Sequence, residues 1–249
     1  MQAVDFYNEK LESSNQHRDP MRNTHNFIKA MLIQSCLPTN ADLLDIGCGQ
    51  GGDLLKFKRS RPRSYRGIDA SSTAIHRIGE RIRQIGWRAP YVLECIDMTR
   101  DEWSTTPLVN AVSCQFSLHH LFVSEAAARH AISRMASSLV VGGVLFGTIP
   151  VHNAPAYSKV RVKLPDDNRL CEEPSAPRDV VQAICESHGL RLREWIGFEE
   201  YYAKILKSNG GLAKKMNAAT TAPDSRYAVF IFDRVPTQKK KQSKSSAAT

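Results

Sequence analysis

The chain has 249 residues, enough for one large domain or two small ones, because single cores stop growing near roughly 250–300 residues. Hydrophobic residues make up 42% and charged residues 24%, which excludes wholly disordered and collagen-like chains; no apolar run approaches the ~20 residues of a membrane span. Thirty-four Lys and Arg against 25 Asp and Glu give a net charge of +9, and removing tail lysines 239, 240, 241 and 244 still leaves +5, so a polyanion such as nucleic acid is the expected partner class.

The start, Met1-Gln2-Ala3-Val4-Asp5, lacks the basic and apolar regions of a signal peptide, so a soluble, non-secreted chain with no membrane partner is expected. Residues 1–20 read as a polar lead-in. Apolar residues at Phe27, Met31, Ile33 and Leu37 predict a helix over 26–37, stopped by Pro38. Residues 43–46 predict a first strand, followed by a glycine loop and a helix opening near Asp53. A second strand over 64–69 ends in Asp69. Ser72 is the expected cap of a helix in which Ile75, Ile78, Ile82 and Ile85 recur at helical spacing.

Strands over 91–96 and 111–116, a helix over 124–138 and a strand over 143–149 continue the alternation. Residues 151–176, rich in Pro, Asn and charge, break it and are expected to form an insertion or lid. A helix over 178–188 and strands over 190–196 and 227–233 complete it; 236–249 read as a disordered Lys/Ser tail. This alternation predicts one α/β domain over 21–235, with a doubly wound, mostly parallel sheet. The six cysteines, at 36, 48, 95, 114, 171 and 185, form no CxxC pair, so reduced core thiols are expected and no disulfide framework or metal site.

The loop Asp45-Ile46-Gly47-Cys48-Gly49-Gln50-Gly51-Gly52-Asp53 satisfies the dinucleotide pattern GxGxxG through Gly47, Gly49 and Gly52, with Asp69 twenty residues past Gly49. Yet a pyrophosphate at a helix N-terminus wants no carboxylates nearby, and Asp45 and Asp53 bracket this loop. S-adenosylmethionine suits it better, having no phosphate and carrying positive charge. Asp69 would then accept from its ribose hydroxyls, and Asp97 would reach its adenine amino group.

Five separated segments resemble the eukaryotic mRNA cap guanine-N7 methyltransferases. They are Phe6-Tyr7-Asn8-Glu9, similar to HYNE; Arg22 to Lys29, similar to RNFNNWIK; Leu44 to Leu54, similar to LDLGCGKGGDL; Cys114 to Phe122, similar to SQFSFHYAF; and Gly197 to Tyr202 together with the closing Tyr227-Ala228-Val229-Phe230. The resemblance implies a Rossmann-like methyltransferase fold acting on GpppN-capped RNA. By position it implies a donor pocket of Lys29, Asp45, Gly47, Asp53, Asp69, Asp97, Gln115 and Ser117. It implies a guanine pocket of Asn26, Phe116, His119, His120, Pro150, Glu172 and Tyr227. Three departures stand out: Gln50 replaces the family's loop lysine, His120 replaces a tyrosine, and the region 151–172 is short.

Guanine N7 has a lone pair and no proton to lose, so methylation there needs positioning and no general base. His119, Glu172 and Tyr227 are accordingly expected to position the guanine. Lys56, Lys58, Arg59, Arg61, Arg63 and Arg66 form either a landing strip for triphosphate and RNA or a solvated helix end. A nuclear monomer is expected, acting alone or with a guanylyltransferase or RNA polymerase II as partner; the lysine tail reads either as a localisation signal or as an ordinary disordered terminus. The alternatives are a regulatory cap-binding subunit with weak or lost turnover, and a methyltransferase for another RNA base.

Overall fold

The computed structural model describes residues 20–163, 170–218 and 223–236. The elements in chain order are α1 (Pro20–Cys36), β1 (Asp42–Ile46), α2 (Leu54–Ser60), β2 (Ser64–Asp69), α3 (Ser72–Gln84), β3 (Tyr91–Cys95) and β4 (Val109–Gln115). A short 3₁₀ turn (Leu118–Leu121) leads to α4 (Glu125–Ser138), β5 (Leu139–Pro150), β6 (Lys159–Lys163), β7 (Leu170–Pro174), α5 (Arg178–Ser187), β8 (Leu190–Gly197), α6 (Phe198–Lys215) and β9 (Tyr227–Arg234). The motif at 6–9 lies outside the described residues, as does nearly all of the Lys/Ser tail.

Seven strands form one sheet in the order β3-β2-β1-β4-β5-β9-β8. The first five are mutually parallel, and β9 runs antiparallel between β5 and β8. The predicted doubly wound, mostly parallel sheet is the observed one. The order reverses at β1 and β4, so the loops leaving their carboxyl ends diverge and leave a crevice, the usual ligand position in such sheets. Central strands are buried on both sides, as their near-continuous apolar runs require: in β4, Val109 and 111–115 are all buried. Two apolar layers flank the sheet, one centred on Ile132, Met135 and Ile184 from α4 and α5, the other on Phe27, Ile28 and Phe57 from α1 and α2.

Two local expectations are corrected. Helix α1 begins at Pro20, before the apolar stripe that predicted its start, because its first turns carry polar residues facing a cavity. Ser71, not Ser72, caps α3, accepting from the Ala74 amide. The break at 151–176 contains an antiparallel hairpin, β6–β7, which pairs Arg161 with Glu172 and Val160 with Glu173. Helix α6 was not predicted at all. It kinks at Asn209, φ −129°, just before Gly210 and Gly211.

None of the six cysteines is in a disulfide; five are buried, as expected of core thiols, and Cys95 is exposed. No helix among the described residues is long and apolar enough to cross a membrane.

Candidate active site

The glycine loop leaves β1 at the crevice. Gly47 and Cys48 donate backbone hydrogen bonds to the Ile68 carbonyl at the end of β2, which folds the loop back over the sheet edge. Gly47 has φ +66°, and a Cβ there would lie 2.2 Å from Ser117 Oγ, so only glycine lets the β1 and β4 loops meet. Ser117 in turn donates to the Gly47 and Gln115 carbonyls. A Cβ on Gly49 would meet nothing within 4 Å, so the loop faces open space there.

Asp69 ties this arrangement together. One carboxylate oxygen accepts from the Gly49 amide at 2.8 Å and the other from the Ser71 amide at 2.9 Å. Burial raises its pKa, and the two amides oppose that rise. Asp97 stabilises its own turn, accepting from the Thr99 amide and hydroxyl and pairing with Arg100 at 3.1 Å. Gln115 lies in the sheet interior, bridging Ser113 and Thr148 through its amide.

The acids bracketing the loop differ sharply. Asp45 is buried and accepts from the Tyr65 hydroxyl at 3.0 Å. Burial first, and then the charge of Asp53, push its pKa up to about 8. Asp53 is opposed by burial too, but Lys29 at 2.9 Å and Lys56 at 2.6 Å outweigh that and bring it down to about 2. The electrostatic expectation for the loop therefore needs correction at Asp53: two ammonium groups already hold its charge. Burial lowers Lys56 to about 8 against the pull of Asp53. Gln50, where the resembling family carries lysine, accepts from the Arg77 guanidinium at 3.2 Å, so an arginine supplies positive charge beside the loop.

Next to the loop opens a cavity of about 540 Å³, within the range of small-molecule sites. Asn26, Lys29, Phe116, His119, Pro150 and Tyr227 all line it, six expected residues brought together from five segments. Register explains one pair: Pro150 ends β5 directly opposite Tyr227, the first residue of β9. Phe116 occupies the left-handed region at φ +55°, held by its amide donating to the Thr148 carbonyl and hydroxyl. Such strain persists only where surrounding structure enforces it. The Lys29 ammonium lies 5.6 Å over the Phe116 ring, and Tyr227 meets that ring edge-on at 5.3 Å.

Glu172 must be corrected. It lies on the outer face of β7, with its side chain 48% exposed and facing Lys159 and Arg161. Glu173 points the other way, into the cavity, with its carboxylate 3.3 Å from His119 Nε2 and only 6% exposed. Strand side chains alternate, so a shift of one residue exchanges solvent for interior. His120 does not line the cavity; its ring packs against His119 at 3.9 Å between centroids, tilted by 40°, both on the 3₁₀ turn, where strand alternation does not apply. Burial and the His119 charge lower the His120 pKa to about 3.

The basic cluster divides. Lys56 and Arg59 reach the cavity wall, whereas Arg63 pairs with Asp42 and Arg66 with Glu94, away from it. Sequence reasoning missed Arg22 and Arg81, which complete the basic rim, and His25, which packs against Phe116, Phe198 and Tyr227 at 5.0–5.8 Å. For Arg22 and His25 a signal existed: they stand one turn and one residue before Asn26 on the same helix.

The model of the family described as mRNA (guanine-N(7))-methyltransferase domain matches residues 2–173. The chain is 29% identical over 194 residues to an mRNA cap guanine-N(7) methyltransferase of Eremothecium gossypii, covering 74% of this chain and 44% of that protein. It is 27% identical over 228 residues to mRNA cap guanine-N(7) methyltransferase 1 of Arabidopsis thaliana, covering 83% and 55%. The chain thus spans about half the length of these relatives. Among solved structures, an S-adenosylmethionine-dependent methyltransferase of Listeria monocytogenes described as putative matches at TM-score 0.60 and 12% identity, covering 87% of this chain and 99% of that one. The [4+2]-cyclase SpnF matches at TM-score 0.59 and 20% identity, covering 85% and 82%. These two likenesses establish the fold and leave the reaction open.

Proposed function

The chain belongs to the mRNA (guanine-N(7))-methyltransferase family, and on that premise we propose that it transfers a methyl group from S-adenosylmethionine to N7 of the guanine in GpppN-capped RNA. The observation that carries the reading is the cavity beside the glycine loop, which the buried Glu173 carboxylate lines together with two aromatic rings, Phe116 and Tyr227, and several basic side chains. Guanine offers N1–H and N2–H₂ to a carboxylate and a flat face to an aromatic ring, and its triphosphate seeks cations.

The residues around the loop fit the methyl donor. Asp69 retains lone pairs for ribose hydroxyls beyond the two amides it accepts from, and the open space at Gly49 leaves room for a nucleoside. Lys29 would meet the donor's carboxylate and Asp45 its cationic part, with Gly47, Asp53, Gln115 and Ser117 fixing the loop geometry and Asp97 beside the adenine. When bound, the donor supplies an electrophilic methyl group. The chain's own task is then to hold the guanine ring against the aromatic wall, to anchor its Watson–Crick edge at Glu173, and to leave N7 facing the glycine loop. His119 keeps Glu173 in place, and no residue has to remove a proton.

The same reading makes capped RNA the partner, in nuclear mRNA processing, with a guanylyltransferase or RNA polymerase II as a further partner and the chain itself a monomer. The second reading, a subunit without turnover, rests on Gln50 in place of the loop lysine and on the short 151–172 region; the Arg77 contact to Gln50 weakens the first of these. Methyl transfer from labelled donor to GpppN-capped RNA, with an N7-methylated cap as control, tests the proposal. Label in the unmethylated cap alone supports it. Label in neither favours the subunit without turnover, and label in both points to a different acceptor atom.

A further inference from the structure

Three side chains, two on the cavity wall and one packed just behind it, have a second chemistry. The ligand-capable atoms of His119, His120 and Glu173 all lie within 4.8 Å of one another. His119 is 2% exposed, and neither of its ring nitrogens makes a hydrogen bond of good geometry; Nε2 faces the Glu173 carboxylate at 3.3 Å. A buried imidazole in that condition asks for an explanation. Two ligands about 2.0–2.1 Å from a tetrahedral ion stand about 3.3 Å apart, the separation found here. His152 adds a third imidazole within electrostatic reach of Glu173 and His119. The tyrosine that the resembling family carries at position 120 could not complete such a set, because a phenol is a far poorer ligand at neutral pH.

We propose that His119, His120 and Glu173 bind one divalent transition-metal ion of the Zn²⁺ type, and that the bound ion closes the cavity to guanine. Two imidazoles and a carboxylate form the ligand set of many three-residue zinc sites, with water completing the tetrahedron. The His119–Glu173 edge already has the required length, and rotation of the His120 ring brings in the third ligand. The second half of the proposal rests on the cap reading: a carboxylate with an oxygen drawn onto a metal is a weaker acceptor and no longer presents both oxygens freely to guanine N1–H and N2–H₂. The chain would then be reversibly inhibited by zinc.

The test uses the full chain without RNA or methyl donor, titrating Zn²⁺ in competition with a chromophoric chelator. Uptake of one ion per chain is expected, with affinity falling at least about tenfold in His120→Tyr and in Glu173→Gln. Glu172→Gln, on the outer face of the same strand, should bind as wild type does. Co²⁺ should give visible d–d bands without a sulfur charge-transfer band. No stoichiometric uptake, unchanged affinity in both cavity variants, or a sulfur band placing the ion on exposed Cys95 would overturn the site. Since variants that unfold would also lose the ion, their thermal melting is followed in parallel, and the cobalt spectrum of wild type stands apart from any variant.

A methyl-transfer assay reads the inhibition separately. Zinc inhibition that chelator reverses and added capped RNA overcomes supports the second half, and activity untouched by stoichiometric zinc refutes it. Absence of methyl transfer altogether would sink the cap reading while the metal titration stood on its own result.

Discussion

Exchanging the acid at two adjacent positions separates the structure's reading from the sequence's. In Glu173→Gln the shape of the side chain is kept and its charge is lost. The carboxylate is buried against His119 at 3.3 Å, so little water screens it. A hydrogen bond to a charged partner in such a place contributes about 1.5–3 kcal/mol, which at about 1.4 kcal/mol per decade is a loss of roughly 10- to 150-fold in kcat/KM for capped RNA. Glu172→Gln removes only solvent-facing pairs at 3.5 and 3.8 Å, of a kind contributing about 0–1 kcal/mol to stability and nothing to the cavity. Initial-rate assays varying RNA and donor separately decide the matter. The Glu173 loss should fall on the RNA side, with donor KM held and the melting temperature little changed. Equal losses in both variants, or a Glu173 effect confined to donor KM, would refute the assignment of this acid to guanine.

Further outcomes follow from the loop. Gly47→Ala forces an L-residue to φ +66° and drives its Cβ against Ser117 Oγ, costing about 1–2 kcal/mol for the backbone alone; melting should fall by at least about 2–4 °C and donor binding, read by calorimetry, should weaken. Asp53→Asn strands two buried ammonium groups and should destabilise by about 3–5 kcal/mol in denaturant titrations. Because the folded pKa of Asp53 is depressed to about 2, the stability it contributes is present above its unfolded value of 3.8 and disappears as pH falls toward 2. Asp45 has the opposite sign: raised to about 8, it favours folding fully only below 3.8 and progressively less up to pH 8. A cationic donor prefers its ionised form, so donor affinity should climb between pH 6 and 8 with proton release in buffers of different ionisation enthalpy; a flat profile would rule that linkage out. Gln50→Lys places an ammonium against Arg77 and should leave methyl transfer unchanged or lower, where a missing catalytic lysine would predict a gain.

The sheet was legible because its strands are short apolar runs separated by helices of clear period, and the loop because glycines with flanking acids have few other uses. What escaped detection depends on direction rather than type. Glu172 and Glu173 are the same residue to any composition argument, and only the hairpin register decides which one turns inward. Arg63 and Arg66 belong to the same basic run as Lys56 and Arg59, yet Arg63, just before β2, pairs with Asp42 and Arg66, within β2, with Glu94. Helix α6 stayed hidden because its two glycines weaken the local signal while tertiary burial of Phe198, Tyr201 and Tyr202 holds the segment helical. His25 stood within a segment already recognised, but the burial of one helix face cannot be assigned before its partner is known.

A transfer that needs no proton removal shifts the burden from acid–base groups to backbone placement. The walls of this cavity are built that way. Phe116 is pinned in a left-handed conformation by Thr148 of β5, Pro150 of the same strand fixes Tyr227 by register, and Ser117 rests on a glycine that nothing larger could replace. Each of these links joins β4 or β5 to a neighbouring segment, so the ring walls and the glycine loop move as one body with the sheet. The polar groups added to that frame are few, and each meets a partner: Glu173 faces His119 at 3.3 Å, Asp69 accepts from two amides and Asp53 pairs with two lysines. Substituting any one of them should therefore give graded losses, whereas disturbing Gly47 or the Phe116–Thr148 contact should damage donor and guanine binding together.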